Sequence, residues 1–308
     1  MNLGNTDLRI SVLGLGTVQL GMPYGYDNQV PPPDADAIRL IQHSLDLGIN
    51  FIDTAPSYGR SEMLVGKACS HLGSRPIIAT KLSITNPDGA QFLEGQSLRD
   101  SIELSLQQSL KTLGLDALDL VQLHSLSTNF TTPELLDLLT QYTQRGWVRY
   151  WGVTTYGEAA PLDALNYPDL FCSLQVPINA LDLQMEKKVL IRATKLGVGR
   201  ILRSIFLQGV LSSRFHTLPD HLAPLVALAS PLLKIAEDAG IGLGELALRF
   251  AAFSPYADSA IFGTTSIAEL EANIHTLRAG PLPEEVLKAV RSIKVPDPSM
   301  LNPGTWQR

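Results

Sequence analysis

The composition describes an acidic, apolar chain of 308 residues, with 45% hydrophobic residues, 18% charged residues and a formal net charge of −6. Such a chain can bury a large core, and it carries no basic stripe of the kind that binds nucleic acid. The two cysteines stand outside any CxxC pair, which favours a reducing compartment. The polar start and the absence of a long uncharged apolar run predict a cytoplasmic protein without a membrane segment.

Short apolar runs bounded by turn residues predict eight strands in chain order. These strands cover residues 11–15, 50–53, 77–81, 118–124, 150–154, 170–176, 199–204 and 259–262.

Amphipathic stretches with helical periodicity follow the strands and predict helices between them. These helices cover residues 34–46, 61–71, 95–113, 133–145, 185–195, 222–239, 243–253, 268–276 and 283–293. Asp34 and Thr132 have the residue types and positions of helix N-caps.

Alternating strands and helices predict a parallel sheet, either closed or open. Eight strands favour a closed (β/α)8 TIM barrel, because open doubly wound sheets more often have five or six. The segment GLGTVQLG after the first strand lacks the GxGxxG spacing of an open dinucleotide-binding sheet. We therefore expect residues 1–308 to form one barrel domain, with residues 1–10 as a short hairpin that turns at Asn5-Thr6 and closes the barrel bottom.

Ionisable side chains stand at the ends of three successive strands. Asp53 ends the second strand, Lys81 the third and His124 the fourth, while Tyr58 follows Asp53 in the segment DTAPSYG. Each residue alone has an ordinary structural explanation. Because an active site of a barrel lies at the carboxyl ends of its strands, and neighbouring strand ends are close in space, the four together predict a catalytic cluster.

These four side chains suit proton transfer to a carbonyl oxygen. A tyrosine has an ordinary pKa near ~10, and a lysine cation beside it favours the phenolate, so we expect Lys81 to lower the pKa of Tyr58. Asp53 would hold the lysine, and His124 would orient the oxygen.

The same segments resemble the aldo-keto reductase superfamily over most of the chain. Its hallmark D-T-A-x-x-Y-G is matched from Asp53 to Gly59, its lysine by Lys81 in ATKLS and its histidine by His124 in VQLHS. The resemblance implies that Asp53, Tyr58, Lys81 and His124 are the catalytic tetrad. It also implies hydride transfer with a nicotinamide cofactor and requires no metal.

The resemblance implies three groups of cofactor-binding residues. The nicotinamide amide would contact Thr154 and Thr155, which replace the family's Ser-Asn, and Gln175. After the seventh strand, Arg203 stands where the family has a stacking aromatic, followed by Ser204 and Phe206. Either the Arg203 guanidinium stacks on the ring, or Arg203 pairs with a carboxylate and Phe206 supplies the ring. The phosphates, ribose and adenine would contact the residues Gly263, Thr264, Thr265, Glu269, Glu271 and Asn273.

Family habit predicts NADP(H) as cofactor, and Glu269 keeps NAD(H) as the alternative. NADP-preferring members of the family carry a basic residue near this position, which pairs with the 2′-phosphate of NADP. A carboxylate at the same place would repel that phosphate. Tyr24 and Tyr26 follow the first strand and would line the substrate pocket with His124; Tyr156 and Trp306 are weaker candidates. The substrate would be a small aldehyde, ketone or sugar carbonyl, or the matching alcohol.

Two alternative functions follow from the same resemblance. One is an NAD-dependent sugar dehydrogenase, and the other is a cofactor-binding regulatory subunit without turnover. A barrel hydrolase is a further possibility, but it should show paired acids or a metal cluster at the strand ends. In the absence of a long exposed apolar stripe, we expect a monomer.

Overall fold

A computed structural model describes residues 1–306 of the chain. Eight parallel strands close into a barrel in sequence order, with β8 paired to β1. The prediction of a (β/α)8 barrel is confirmed. The strands are β1 Leu13–Gly16, β2 Phe51–Asp53, β3 Ile77–Leu82, β4 Leu118–Leu126, β5 Val148–Thr155, β6 Phe171–Pro177, β7 Gly199–Arg203 and β8 Ser259–Phe262.

Helices follow the strands and cover the outside of the barrel. They are α1 Val18–Gly21, α2 Asp34–Asp46, α3 Ser61–Cys69, α4 Gly95–Leu113, α5 Pro133–Gln144, α6 Ala159–Ala164, α7 Ile191–Leu196, α8 Ala223–Asp238, α9 Leu243–Ala252, α10 Ile267–Thr276 and α11 Glu284–Ser292. The sequence did not predict α1 and α6, because one or two turns are too short to show a helical period. A π-helical turn, Glu186–Leu190, leads into α7.

The bottom of the barrel is closed by the N-terminal hairpin, as predicted. Asn2 pairs with Arg9 in antiparallel fashion, and the Thr6 amide donates to the carbonyl of Leu3. The hairpin side chains Leu3 and Leu8 are buried against the inward-facing residues of the barrel, Phe51, Ala79, Leu120, Ile201 and Ile261. The apolar plug fills the lower part of the barrel interior, and the inward-facing polar side chains lie above it.

One of the two predicted helix caps is correct. The Thr132 hydroxyl accepts a hydrogen bond from the Leu135 amide at 3.2 Å, at the start of α5. The prediction for Asp34 is wrong, because Asp34 is the first helical residue of α2 and Pro33 occupies the cap position. The Asp34 carboxylate instead pairs with Arg60 at 2.8 Å, in the first turn, where a negative charge favours the helix dipole.

The loops at the upper end contain strained backbone. Ser125, Ser204, Leu207 and Gln208 have φ angles of 59°, 59°, 46° and 52°, in the left-handed region that non-glycine residues rarely adopt. Ser125 lies near the end of β4 and the other three residues follow β7, on the side of the barrel where the active site is expected. Strain of this kind concentrates at functional sites. Among the helices of residues 1–306, none has both the length and the apolar character needed to cross a membrane.

Candidate active site

The structure brings the four predicted catalytic side chains together at the carboxyl end of the barrel. Lys81 Nζ donates to Asp53 Oδ2 at 2.6 Å and to the carbonyl oxygen of Thr54 at 3.0 Å. The same Nζ lies 4.7 Å from the centre of the Tyr58 ring. Tyr58 and His124 meet edge to face, with ring centres 6.0 Å apart. An acid, a cation, a phenol and an imidazole therefore share one small volume.

Two glycines allow the loop that carries Tyr58 to pack closely on α1. A Cβ atom at Gly21 would lie 2.1 Å from the carbonyl oxygen of Tyr58, which no side chain can do. Gly59 has a φ of +59°, and its own Cβ would lie 2.5 Å from the carbonyl oxygen of Gly21. The hallmark Tyr-Gly pair thus has a steric reason: the glycine lets the chain turn where the tyrosine is presented.

The ion pair of Lys81 and Asp53 is buried, with Lys81 only 2% and Asp53 only 5% exposed. Burial lowers the pKa of Lys81, but the charges of Asp53 and Tyr58 outweigh it and leave this pKa raised above its ordinary value. Lys81 is therefore a cation throughout the neutral range, held in place by the carboxylate.

The prediction that the pKa of Tyr58 falls is wrong for the cavity as it stands in this structure. Burial raises the pKa of Tyr58, and the negative charge of Asp53 adds to that effect. The positive charges of Lys81 and Arg203 lower it, but by less than burial raises it. Removal of the phenol from water, which the sequence does not reveal, decides the sign. Tyr58 therefore retains its proton at neutral pH and can donate it.

His124 is neutral in this environment. Burial, the charge of Lys81 and the charge of Arg203 together lower the pKa of His124 to about 3. A neutral imidazole has one N–H donor and one lone pair, so it can orient an oxygen atom without taking part as a cation.

We expect this neutral histidine to leave a signature in the pH dependence of turnover. An ordinary histidine changes charge between about pH 5 and about pH 8. In this range the pH profile of kcat/KM for carbonyl reduction should have the same shape in the unmodified protein and in His124→Gln, because His124 does not titrate there. The measurement is a pair of pH profiles, one for each protein. If the unmodified protein shows an inflection near the ordinary histidine pKa and the variant lacks it, His124 changes charge in this range and is not held neutral by its surroundings.

The second oxygen of Asp53 is held by two amides. Gln175 Nε2 donates to Asp53 Oδ1 at 2.7 Å, and Gln122 Nε2 donates to the same atom at 3.3 Å. The sequence predicts a cofactor contact for Gln175, and Gln122 is not among the predicted site residues. Strand alternation was the available signal, since Gln122 and His124 are two residues apart in β4 and face the same side.

A cavity of about 610 Å³ opens above this cluster and extends to the start of α10. Its volume lies within the usual range of small-molecule sites. Most of the predicted binding residues line it, namely Tyr24, Thr154, Gln175, Arg203, Ser204, Phe206, Gly263, Thr264, Thr265, Glu269 and Asn273. Tyr156 also lines it, as do Gln19 and Gln208, which the sequence analysis did not single out.

Four predicted or candidate residues lie elsewhere. The Thr155 side chain is buried outside the cavity lining. Glu271 is turned to α2, where it pairs with His43 Nε2 at 2.8 Å. Tyr26 lines a neighbouring cavity of about 540 Å³. Trp306 packs against a separate apolar cluster and donates its indole N–H to the carbonyl oxygen of Met300.

Arg203 adopts a stacked arrangement. Its guanidinium carbon lies 4.3 Å from the centre of the Tyr156 ring, and Nη2 donates to the carbonyl oxygen of Thr155 at 3.0 Å. Within residues 1–306, no carboxylate lies within 4.0 Å of this guanidinium. Arg203 therefore has a stacking partner in the protein, Tyr156, and no carboxylate partner among the described residues, while stacking of Arg203 or Phe206 on the nicotinamide ring stays a prediction.

The wall formed by β8 and α10 is acidic. Glu269 Oε2 accepts a hydrogen bond from the Thr264 hydroxyl at 2.6 Å, next to the N-cap of α10. Between residues 263 and 276 of the described chain, Glu269 is the one charged side chain that lines the cavity.

The cavity also contains a polar group that has no partner in the protein. Gln19 Oε1 is buried and accepts no hydrogen bond from residues 1–306. A Cβ atom at Gly263 would lie 2.6 Å from this oxygen, so a larger residue there would displace the end of the Gln19 side chain. Buried acceptors of this kind are normally satisfied, which fits a ligand with donor groups at this wall. No cluster of three or more metal-ligating side chains occurs in the described part of the chain.

Comparison with known proteins agrees with this geometry. The model of the aldo/keto reductase family matches residues 12–295. L-galactose dehydrogenase of Arabidopsis thaliana is 28% identical, over 96% of this chain and 93% of its own length.

Solved structures show the same barrel. An aldo-keto reductase from Bacillus halodurans, in its holo form, superposes with a TM-score of 0.78 at 26% identity, covering 96% of each chain. Glycerol dehydrogenase from Gluconobacter oxydans has a TM-score of 0.76 at 25% identity, covering 97% of this chain and 96% of its own. The chain therefore belongs to the aldo/keto reductase family of oxidoreductases.

Proposed function

We propose that this enzyme interconverts a small carbonyl compound and its alcohol with a nicotinamide cofactor, and that Tyr58 transfers the proton. The observation that carries the proposal is the cluster at the base of the cavity, in which the buried ion pair of Asp53 and Lys81 lies beside the partly exposed rings of Tyr58 and His124. Proton transfer by a positioned side chain needs this combination of a protonated donor, a fixed cation and an oxygen-orienting group.

Each side chain has a distinct role in the proposal. The Tyr58 hydroxyl gives its proton to the carbonyl oxygen during reduction and recovers it from the alcohol during oxidation. The Lys81 cation stabilises the phenolate that remains, and Asp53 holds Lys81 against the ring. The neutral His124 donates its ring N–H to the substrate oxygen and so directs the oxygen toward Tyr58.

The cavity fits a nicotinamide dinucleotide along the wall from Gln175 to Asn273. The ring would lie near Gln175, Arg203 and Phe206, and the adenosine end would lie near Thr264 and Asn273, with the other predicted lining residues between them. When bound, the cofactor supplies or removes the hydride at the carbon of the substrate. The chain itself provides the shape, the polar partners and the proton.

We propose NAD(H), rather than NADP(H), as the preferred cofactor. Glu269 is the charged group on the α10 wall, and it is fixed by the Thr264 hydroxyl. A carboxylate disfavours a phosphate beside it and can accept hydrogen bonds from a ribose hydroxyl. The acidic wall supports NAD(H) against the family habit that favours NADP(H).

The variant Glu269→Lys should reverse this preference. Replacing a like charge by an opposite one should tighten NADPH binding about tenfold or more and weaken NADH binding. The measurement is the dissociation constant of each reduced cofactor, obtained from fluorescence titration of both proteins. The matched control is Glu271→Lys, which adds the same charge on the outer face of α10 and should change neither constant. If each cofactor had the same dissociation constant in Glu269→Lys as in the unmodified protein, the preference for NAD(H) could not be assigned to Glu269.

A second candidate is a sugar or polyol dehydrogenase that works in the oxidative direction. The acidic cofactor wall favours it, because oxidative enzymes commonly use NAD. Two similar proteins carry the names L-galactose dehydrogenase and glycerol dehydrogenase. Rates with a panel of aldehydes, ketones, sugars and polyols, measured in both directions, separate the two candidates.

The proposal as a whole is tested by cofactor titration followed by turnover. We expect NADH or NADPH to bind in the micromolar to millimolar range and to be oxidised by at least one carbonyl of the panel. Absence of binding of both cofactors would overturn the proposal.

We further propose that the enzyme is a monomer and that it lies in the cytoplasm. Size-exclusion chromatography with light scattering would test the first statement, and cell fractionation would test the second.

A further inference from the structure

The two oxygens of the Asp53 carboxylate have different partners. Oδ2 accepts from Lys81 Nζ at 2.6 Å. Oδ1 accepts from Gln175 Nε2 at 2.7 Å and from Gln122 Nε2 at 3.3 Å. The two amides also approach each other, with Gln175 Nε2 lying 3.4 Å from Gln122 Oε1. Three donors, on β3, β4 and β6, therefore fix the orientation of one carboxylate.

Gln122 differs from Gln175 in its surroundings. Gln175 lines the cavity, whereas Gln122 is absent from the lining and is 0% exposed. A buried amide costs free energy unless it is hydrogen-bonded. An apolar residue would fit an inward-facing barrel position more simply, as Leu120 does one step below in the same strand. The polar side chain at this position is therefore explained by its contact with Asp53.

We propose that Gln122 is a positioning residue: with Gln175 it fixes Asp53 Oδ1, so that Oδ2 stays on Lys81 Nζ and Lys81 stays against the Tyr58 ring. The inference rests on the proposed function. The effect passes from Gln122 to Asp53, from Asp53 to Lys81, and from Lys81 to the phenol. Gln122 itself would touch neither substrate nor cofactor.

The amide donors also spread the negative charge of the carboxylate. The charge of Asp53 raises the pKa of Tyr58. Removing the Gln122 donor concentrates that charge on fewer hydrogen bonds, so the pKa of Tyr58 should rise further. Alcohol oxidation, which requires Tyr58 to accept a proton, should then need a higher pH.

The test is the variant Gln122→Met, which keeps the length of the side chain and removes the donor. We expect kcat to fall about tenfold, because small misplacements of catalytic groups are costly. The dissociation constant of the cofactor and the KM of the substrate should be unchanged, because Gln122 does not line the cavity. The alcohol-oxidation profile should move to higher pH. The variant Gln122→Asn keeps an amide on a shorter side chain, so the same changes should be smaller. It replaces Gln122→Met in the test if that variant does not fold.

The matched control is Thr80→Val in the neighbouring strand. Thr80 is buried, and its hydroxyl donates to Glu62 Oε1 at 2.6 Å, away from Asp53. This variant loses a buried hydrogen bond without a change at Asp53. It therefore measures how much stability the loss of such a bond costs when the catalytic cluster is left intact. We expect its melting temperature to fall while its kcat and pH profile stay unchanged.

A measurement without cofactor separates this inference from the proposed function. Tyrosinate absorbance is titrated in the cofactor-free proteins, and the signal of Tyr58 is identified by subtracting the titration of Tyr58→Phe. The inference predicts that the Tyr58 transition moves to higher pH in Gln122→Met. An unmoved transition in folded Gln122→Met overturns the inference, as does a loss of cofactor affinity equal to the loss in kcat. Failure of the unmodified protein to bind either cofactor would overturn the proposed function, while the titration would still decide the role of Gln122.

Discussion

Replacing Tyr58 with phenylalanine is expected to lower kcat by about 10²–10⁴-fold, because the variant loses the hydroxyl that transfers the proton. The ring remains, and with it the edge-to-face contact with His124 and the contact with Lys81. The dissociation constant of the cofactor and the melting temperature should therefore stay close to those of the unmodified protein. The measurements are steady-state kinetics, cofactor titration and thermal unfolding on the same preparations.

The matched control is Tyr156→Phe, which removes a hydroxyl from the same cavity. Tyr156 supports Arg203 through its ring, and this contact does not need the hydroxyl. We expect at most a small change in kcat. Similar losses for the two variants would show that a phenol in this cavity is needed for packing or solvation and not for proton transfer by Tyr58.

Replacing Lys81 with methionine is expected to damage both stability and activity. The substitution leaves the Asp53 carboxylate buried without its cation, and removal of one partner of a buried ion pair costs about 3–5 kcal/mol. The double variant Asp53→Asn, Lys81→Met removes both charges and should recover much of this loss. Thermal or urea unfolding of the three proteins measures the difference.

The same pair of variants separates stability from catalysis. The positive charge of Lys81 lowers the pKa of Tyr58, so its removal raises that pKa further above the ordinary value. Alcohol oxidation depends on the deprotonated phenol, so its rate should require a higher pH in Lys81→Met. In the double variant the loss of the Asp53 charge, which raises the pKa of Tyr58, offsets part of this effect, so the shift should have the same direction and be smaller. A double variant that is stable and keeps the activity and pH profile of the unmodified protein would contradict the role of the lysine.

Periodicity explains why the barrel could be predicted and why some parts of it could not. Long alternating segments revealed the strands and most helices, whereas α1 and α6 are too short to show a period. In α10 the spacing of Glu269, Ala272, Asn273 and Thr276 is that of one helix face, and these residues line the cavity together. Glu271 lies off that face and pairs with α2, so helical spacing alone could have excluded it.

The candidate site was predictable in its residues and not in its electrostatics. Asp53, Tyr58, Lys81 and His124 were identified because neighbouring strand ends meet in a barrel. The sign of the pKa shift of Tyr58 was missed, since burial of the phenol depends on loops whose conformation the sequence does not reveal. The left-handed backbone of Ser204 and Gln208, beside the cavity, is one such feature.

Hydride transfer to a carbonyl carbon in the cavity above Tyr58 underlies every role assigned to the four catalytic side chains. The most direct test is a reaction of the enzyme with an accepted carbonyl compound and reduced nicotinamide cofactor that carries deuterium at the transferable position. Mass spectrometry of the product then locates the label. We expect one deuterium on the former carbonyl carbon, at a rate that falls steeply in Tyr58→Phe. A product alcohol without deuterium, or an equal rate of labelling in Tyr58→Phe, would contradict it.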